Sequence, residues 1–199
     1  DKGICFSYSP FDNQIVFNAS MKAVRLLAQI YSINKDPKVK ELADSAVKFV
    51  MNYQREDGAW VYSDKLNKRI DNYHTGYVLT CLKEYIDMTG DKKYKEQMQK
   101  GFVFYKTNFI EEDGAPKFYN NKKHPIDCTS ASQSIITLVE FGEIELANKV
   151  AAYMITNMFD KDGYFYFRQF KTYLIKTPFM RWAQAWMFAA LTQLLYQNK

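Results

Sequence analysis

Cysteine, histidine and long apolar runs are scarce in this sequence, and each scarcity removes a class of protein. Three cysteines in 199 residues, Cys5, Cys81 and Cys128, cannot all pair. Cys81 and Cys128 fall in or at the start of predicted helices, so free thiols are expected rather than a disulfide framework. Unpaired thiols suit a reducing compartment, and a cytoplasmic location is the expectation. Two histidines in different settings, His74 and His124, do not make a metal site, and no metal-ligand spacing is present. Neither a metal nor another cofactor is expected. No apolar run approaches the roughly 20 residues that cross a membrane, so membrane insertion is not expected. The net charge of +5 is modest, which leaves only its distribution informative. No nucleic-acid-binding module is recognisable, so nucleic acid is not an expected partner.

Aromatics are abundant instead, at 17% of the chain, and they fall into a repeat. Four segments share an acidic-Gly turn followed by aromatic alternation: Asp1-Lys2-Gly3-Ile4-Cys5-Phe6, Glu56-Asp57-Gly58-Ala59-Trp60, Glu112-Asp113-Gly114-Ala115-Pro116 and Lys161-Asp162-Gly163-Tyr164-Phe165. Thirteen positions beyond each of the first three glycines stand Val16, Asp71 and Asp127; the fourth copy has a longer loop and aligns near Met180. Asp supplies the turn's side-chain acceptor, and Gly supplies a positive φ. The alternation after the turn reads as an ordered loop with at most a β-bridge, since no partner strand of similar length is evident.

Helices alternate in character between these turns. Those expected at 37–53, 92–109 and 143–159 are amphipathic, with an apolar stripe of 3.6 periodicity in the first (Val39, Leu42, Ala43, Ala46, Val47, Val50, Tyr53). Asp36 caps that helix ahead of Pro37, and Asp91 is expected to cap the next. Helices expected at 15–32, 71–89, 127–142 and 179–197 are poor in charge. The last is apolar nearly all round and should be covered on most sides. Outer helices with one wet face and inner helices with almost none predict an all-α fold: a partial α/α toroid of helical hairpins with short extended turn segments. The count of four inner and three outer helices predicts one domain over 1–199 that is the carboxyl-terminal part of a larger ring.

The segment Asp71-Asn72-Tyr73-His74-Thr75-Gly76-Tyr77, together with Pro125-Ile126-Asp127 and Ala131-Ser132-Gln133, resembles a family of bacterial proteins encoded with exopolysaccharide-biosynthesis genes. That resemblance implies a six-hairpin glycosidase-like toroid, and a pathway more than a reaction. A second resemblance competes. Gln54-Arg55-Glu56-Asp57-Gly58-Ala59-Trp60 is similar to the Gln…Gly-x-Trp repeat of terpenoid cyclases, and Asp127-Cys128-Thr129 echoes the catalytic acid motif of one branch of them. Only one repeat carries both Gln and Trp, and Ser130 and Ala131 stand where that motif has Ala and Glu.

The residues with most chemistry cluster at the starts of the inner helices. Asp71 and Asp127 occupy matching positions, either as helix N-caps or as carboxylates facing the mouth of the ring, where glycosidic cleavage uses such a pair. His74, one turn beyond Asp71, shares its face and is either a satisfied core histidine or an acid/base held by Asp71. Asp71, His74 and Asp127 are therefore the catalytic candidates. Arg181, in an otherwise uncharged helix, requires a carboxylate partner or a ligand's. With Trp182 and Gln184 it is a substrate-binding candidate, as are Trp60, Tyr73 and Tyr77. His124, in the basic loop Asn120-Asn121-Lys122-Lys123-His124, reads as a surface residue able to contact substrate. Cys128 lacks a matching histidine and is not expected to be a nucleophile. Basic residues before Asp71 (Lys65, Lys68, Arg69), before Asp127 (Lys117, Lys122, Lys123) and after Asp162 (Arg168, Lys171, Lys176) predict a positive turn end. That charge suits an anionic polysaccharide. The expectation is a carbohydrate-active toroid that binds or acts on an oligo- or polysaccharide, as hydrolase or lyase if it is an enzyme. The alternatives are a non-catalytic protein of polysaccharide assembly and a terpenoid cyclase.

Overall fold

The computed structural model describes residues 2–11, 13–63 and 68–198. The described chain carries seven α-helices, and the hairpin order expected from the repeat is present: α1 Phe17–Asn34, α2 Pro37–Met51, α3 Asn72–Thr89, α4 Lys95–Phe109, α5 Cys128–Glu140, α6 Ile144–Met158 and α7 Trp186–Gln197. A π-helical turn, Met180–Ala185, leads into α7. Three two-residue strands, β1 Ile126–Asp127, β2 Arg168–Gln169 and β3 Leu174–Ile175, form one antiparallel sheet in the order β1-β2-β3. The chain resolves into two units, one of residues 1–70 and 77–104, the other of residues 71–76 and 105–199.

In the first unit α1 packs against α2, and Val24, Ala28, Ala43, Val47, Leu79 and Leu82 are fully buried. Lys35 ends α1 in the left-handed conformation, its N–H donating to the Tyr31 carbonyl. Asp36 then caps α2 by accepting from the Lys38 N–H at 2.9 Å, with Pro37 at the first helical position, as the sequence predicts. Leu42 departs from the predicted apolar stripe and is 41% exposed, because the buried face of α2 centres on Ala43, Ala46, Val47 and Val50. Asp91 caps a turn rather than a helix: it accepts from the Lys93 N–H, and α4 begins at Lys95. Lys65 and three neighbours, of the predicted basic loop, lie outside the described residues.

In the second unit α5 is buried on almost every side and packs against α6 and α7. α7 does not meet the expectation of all-round cover. Met187, Ala190 and Leu194 are buried, whereas Phe188, Leu195 and Tyr196 are 76%, 65% and 73% exposed. Its neighbours α5 and α6 reach one face only. The sheet is also more than the single bridge expected. Bridges do close two of the turns, Ile110 with Pro116 and Phe159 with Phe165. The additional strands have partners the loop pattern does not reveal: β1 is the lead-in to α5, and β3 is the longer fourth loop folding back on β2.

The repeat is visible in hydrogen bonds. Gly58 N–H donates to the Arg55 carbonyl and Arg55 N–H to the Ala59 carbonyl; Gly114 with Glu111 and Ala115, and Gly163 with Asp160 and Tyr164, reproduce both bonds. All three glycines have φ between 83° and 92°. A Cβ on Gly58 would lie 2.6 Å from the Lys100 carbonyl oxygen of α4, and one on Gly114 2.6 Å from that of Lys149 in α6. At Gly163 nothing among the described residues lies within 4 Å. The same substitution therefore has two costs. Gly163→Ala meets only the left-handed backbone penalty, about 1–2 kcal/mol. Gly58→Ala adds a backbone clash of the kind that costs about 1–3 kcal/mol more. Urea unfolding should place the Gly58→Ala midpoint clearly below that of Gly163→Ala; equal midpoints would refute the close packing of the turn on α4.

Candidate functional site

The site lies wholly within the second unit and is built on the starts of α3 and α5. Asp71 precedes α3 and caps it, accepting from the His74 N–H at 3.0 Å. Its carboxylate is fully buried, and both oxygens also face His74 Nδ1, at 2.7 and 2.9 Å. A carboxylate accepts only, so the ring proton belongs on Nδ1, which makes Nε2 the basic nitrogen of the neutral imidazole. Asp71 caps the helix and also holds the histidine.

A buried polar cluster fixes this turn. Asn72 Nδ2 donates to the Lys117 carbonyl and to Ser134 Oγ of α5, both at 2.9 Å, while Tyr105 OH donates to Asn72 Oδ1 at 2.6 Å. Burial pushes the Tyr105 hydroxyl well above the usual phenol range, so it stays a neutral donor. The approach of α3 to α5 needs Gly76, where a Cβ would lie 2.7 Å from Gln133 Cγ and 2.9 Å from Thr137 Oγ1.

Asp127 repeats the capping geometry in α5, accepting from the Ser130 N–H at 3.1 Å. Its other oxygen accepts from Arg168 Nε and Nη2, at 2.8 and 2.6 Å, an ion pair set by the β1–β2 register that places Asp127 opposite Arg168. Burial pushes the Asp127 carboxyl up, against the downward pull of Arg168 and of the Ser130 and Thr129 backbone. The Arg168 guanidinium also lies over the rings of Phe118 and Phe167, at 5.2 and 4.8 Å.

These groups line one cavity of about 280 Å³. Its wall is aromatic, formed by Tyr73, Phe118, Phe167 and Trp182; its polar groups are His74, Asp127, Thr129, Ser130 and Arg168. The volume is just under the range of about 300–1,000 Å³ typical of ligand pockets.

Of the sequence candidates, His74, Asp127, Tyr73 and Trp182 line the cavity, and Asp71 lies behind His74. The others are placed differently. Trp60 is 2% exposed, its Nε1 donating to the Val50 carbonyl, because Gly101 opens space for its ring in the core of the first unit. Tyr77 is also buried in that unit, with the Lys22 ammonium 4.1 Å from its ring centre. Gln184 is occupied by backbone, accepting from Phe165 N–H and donating to Phe165 C=O. Arg181 is exposed and lies over the Trp182 ring, so the buried partner inferred for it is not required. His124 is half-buried away from the cavity, and among the described residues its Nδ1 has no hydrogen-bond partner. Cys5, Cys81 and Cys128 are free thiols; burial pushes Cys81 up to about 12 and Cys128 higher still, so neither is nucleophilic near neutral pH. Several rim cations are paired: Lys117 with Glu111, Lys123 with Asp113, and Arg168 with Asp127.

Thr129, Ser130, Phe167 and Arg168 line the cavity and were not among the site candidates read from the sequence. Arg168 had a usable signal. It stands five positions after Gly163, as Ser63 and Tyr119 stand after Gly58 and Gly114, and these three residues bridge Asp127, Val16 and Asp71.

No protein-family model matches the chain, and no curated protein matches it in sequence. Solved structures do match. A family 76 glycoside hydrolase from a bovine Bacteroides thetaiotaomicron strain superposes with a TM-score of 0.76 at 9% identity, over 97% of this chain and 46% of its own. A cellobiose 2-epimerase from Bacillus thermoamylovorans gives 0.73 at 12%, over 93% and 54%. An unsaturated glucuronyl hydrolase from a Bacillus species, responsible for glycosaminoglycan degradation, gives 0.68 at 16%, over 90% and 55%. The chain thus has the fold of the α/α-toroid glycosidase-like proteins and spans about half the length of these structures.

The Asp127–Arg168 pair makes a prediction with a definite sign. In Arg168→Leu, Asp127 is left buried without a counter-charge and its raised pKa rises further. Between the unfolded value of about 3.9 and that raised value the native state binds more protons than the unfolded one, so stability falls as pH rises. The deficit relative to wild type should be small near pH 4 and reach about 2–3 kcal/mol at pH 8, discounted from the 3–5 of a fully buried pair because Arg168 is part-exposed. Urea midpoints at the two pH values measure it; a pH-independent deficit would show that the ion pair is not the cause.

Proposed function

We propose that this chain is part of a carbohydrate-active protein in which His74, held by Asp71, is the acid/base that acts on a sugar bound against the cavity aromatics. The observation that carries this reading is the two-oxygen grip of a fully buried carboxylate on Nδ1 of a histidine that lines the cavity. That grip fixes the ring orientation and tautomer, which is a requirement for moving a proton to or from a bound substrate. Asp127 is less suited to proton transfer, since Arg168 and the α5 cap take up its oxygens. A two-carboxylate hydrolytic pair of Asp71 and Asp127 is accordingly the weaker reading, and proton-transfer chemistry at a sugar carbon, as in epimerisation, the stronger.

The substrate class rests on the fold shared with sugar-processing enzymes and on the aromatic composition of the cavity wall. The pairing of Lys117, Lys123 and Arg168 with carboxylates favours a neutral sugar over the anionic chain that the loop charge suggests. The resemblance of the 71–77 and 125–133 segments to exopolysaccharide-associated proteins supports a place in bacterial polysaccharide metabolism.

Incubation of the protein in D2O with cellobiose, mannotetraose and an unsaturated glucuronyl disaccharide tests both the activity and its class by NMR. Deuterium entering a C–H position marks epimerisation, a new C=C signal marks elimination, and new reducing ends with neither mark hydrolysis. His74→Ala should lower the turnover at least 100-fold. Asp71→Asn, which keeps an N-cap, should lower it comparably with little change in Tm. Wild-type turnover in both variants would remove these residues from the mechanism, whereas no turnover of any of the three substrates by the wild type would leave a binding protein.

A further inference from the structure

The hydroxyl of Ser130 is the odd one out in α5. Ser130 is fully buried, lines the cavity, and among the described residues its Oγ has no hydrogen-bond partner. The other buried hydroxyls of that helix are satisfied. Ser132 Oγ donates to the Cys128 carbonyl at 2.8 Å, Ser134 Oγ to the Ser130 carbonyl at 3.1 Å, and Thr137 Oγ1 accepts from Gln133 Nε2 at 3.1 Å. Burying a hydroxyl without a partner is unfavourable, so an isolated case beside a cavity points to a partner that arrives from the cavity.

The repeat supports this independently. Ser130 follows Asp127 by three residues, as His74 follows Asp71, and each donates its backbone N–H to that aspartate's Oδ1. One slot of successive inner helices thus delivers an imidazole and a hydroxyl to the same cavity. The surroundings restrict what the hydroxyl meets. The adjacent Asp127 disfavours a ligand carboxylate, while a hydroxyl can donate and accept as Ser130 can.

We infer that Ser130 is a ligand-binding residue whose hydroxyl anchors one hydroxyl group of a neutral pyranose in this cavity. The inference rests on the cavity being a sugar site and is independent of which group moves the proton.

Ligand-observed NMR titration of wild type and Ser130→Ala with methyl β-D-glucopyranoside, methyl α-D-mannopyranoside and methyl β-D-galactopyranoside, followed by their monodeoxy analogues, tests it. At least one glycoside should bind wild type, and Ser130→Ala should weaken it about tenfold. The analogue lacking the anchored hydroxyl should bind both proteins alike, and the Tm of Ser130→Ala should equal or exceed that of wild type because an unsatisfied group has been removed. Equal Kd values in the two proteins for every glycoside, failure of all three to bind wild type, or a lowered Tm in Ser130→Ala would each overturn the inference. A tenfold binding loss alongside His74-independent turnover sinks the acid/base reading alone; unchanged binding alongside His74-dependent turnover sinks this one alone.

Discussion

The Asn72 side chain is the constraint on which the site depends. Its amide donates to the backbone at Lys117 and to Ser134, and its carbonyl accepts from Tyr105, so one residue ties the first turn of α3 to the following loop, to α5 and to the end of α4. These bonds form where water is excluded. A missing partner there costs the desolvation of the group left behind, roughly 1–3 kcal/mol each. The neighbours of Asn72 in sequence are Asp71 and Tyr73, so a network with no chemistry of its own fixes the residues that have it. The bidentate hold of Asp71 on His74 is credible only because the backbone carrying both is immobilised in this way.

Architecture was largely legible. The repeat spacing and the capping role of Asp36, Asp71 and Asp127 follow from local chemistry, and the structure reproduces them with small shifts of helix ends; of the dry inner helices, α5 is buried nearly all round, whereas α1 and α7 each expose apolar side chains. Local chemistry also explains why His74 and Asp71 meet, since residues three apart on a helix share a face. What was not legible depended on pairing between segments distant in sequence. Arg168 meets Asp127 through a two-residue ladder, too short to leave a strand pattern. Trp60 was read as a sugar platform because it follows a turn, and only the position of Gly101 reveals the space that buries it. Arg181 was expected to need a buried partner because its helix reads as uncharged and covered, whereas the start of that helix is exposed. The turn at Met180–Ala185 is π-helical, with the Gln184 N–H reaching back to the Phe179 carbonyl. One added residue per turn rotates every later side chain relative to a 3.6-residue wheel.

The site also shows how a repeat can specialise. The slot three residues after the capping aspartate holds histidine in one copy and serine in the next, while the cap is retained in both. The carboxylate oxygens not used for capping have diverged with it: one grips an imidazole, the other a guanidinium from the sheet. In Asp127 capping and pairing use separate oxygens, whereas in Asp71 the capping oxygen also shares in holding the imidazole.

The ladders linking successive repeats have a consequence for biosynthesis. The lead-in to α3 is held by a bridge from Asp71 to Tyr119, and the lead-in to α5 by the pairing of Asp127 with Arg168. A ribosome releases the chain from its amino end, so His74 emerges well before the segment that secures its helix, and Asp127 is secured later still. The pocket is thus finished from its far end backwards: each newly released loop fastens the helix start made before it, and the cavity acquires its final shape only when residues beyond 168 are free of the exit tunnel.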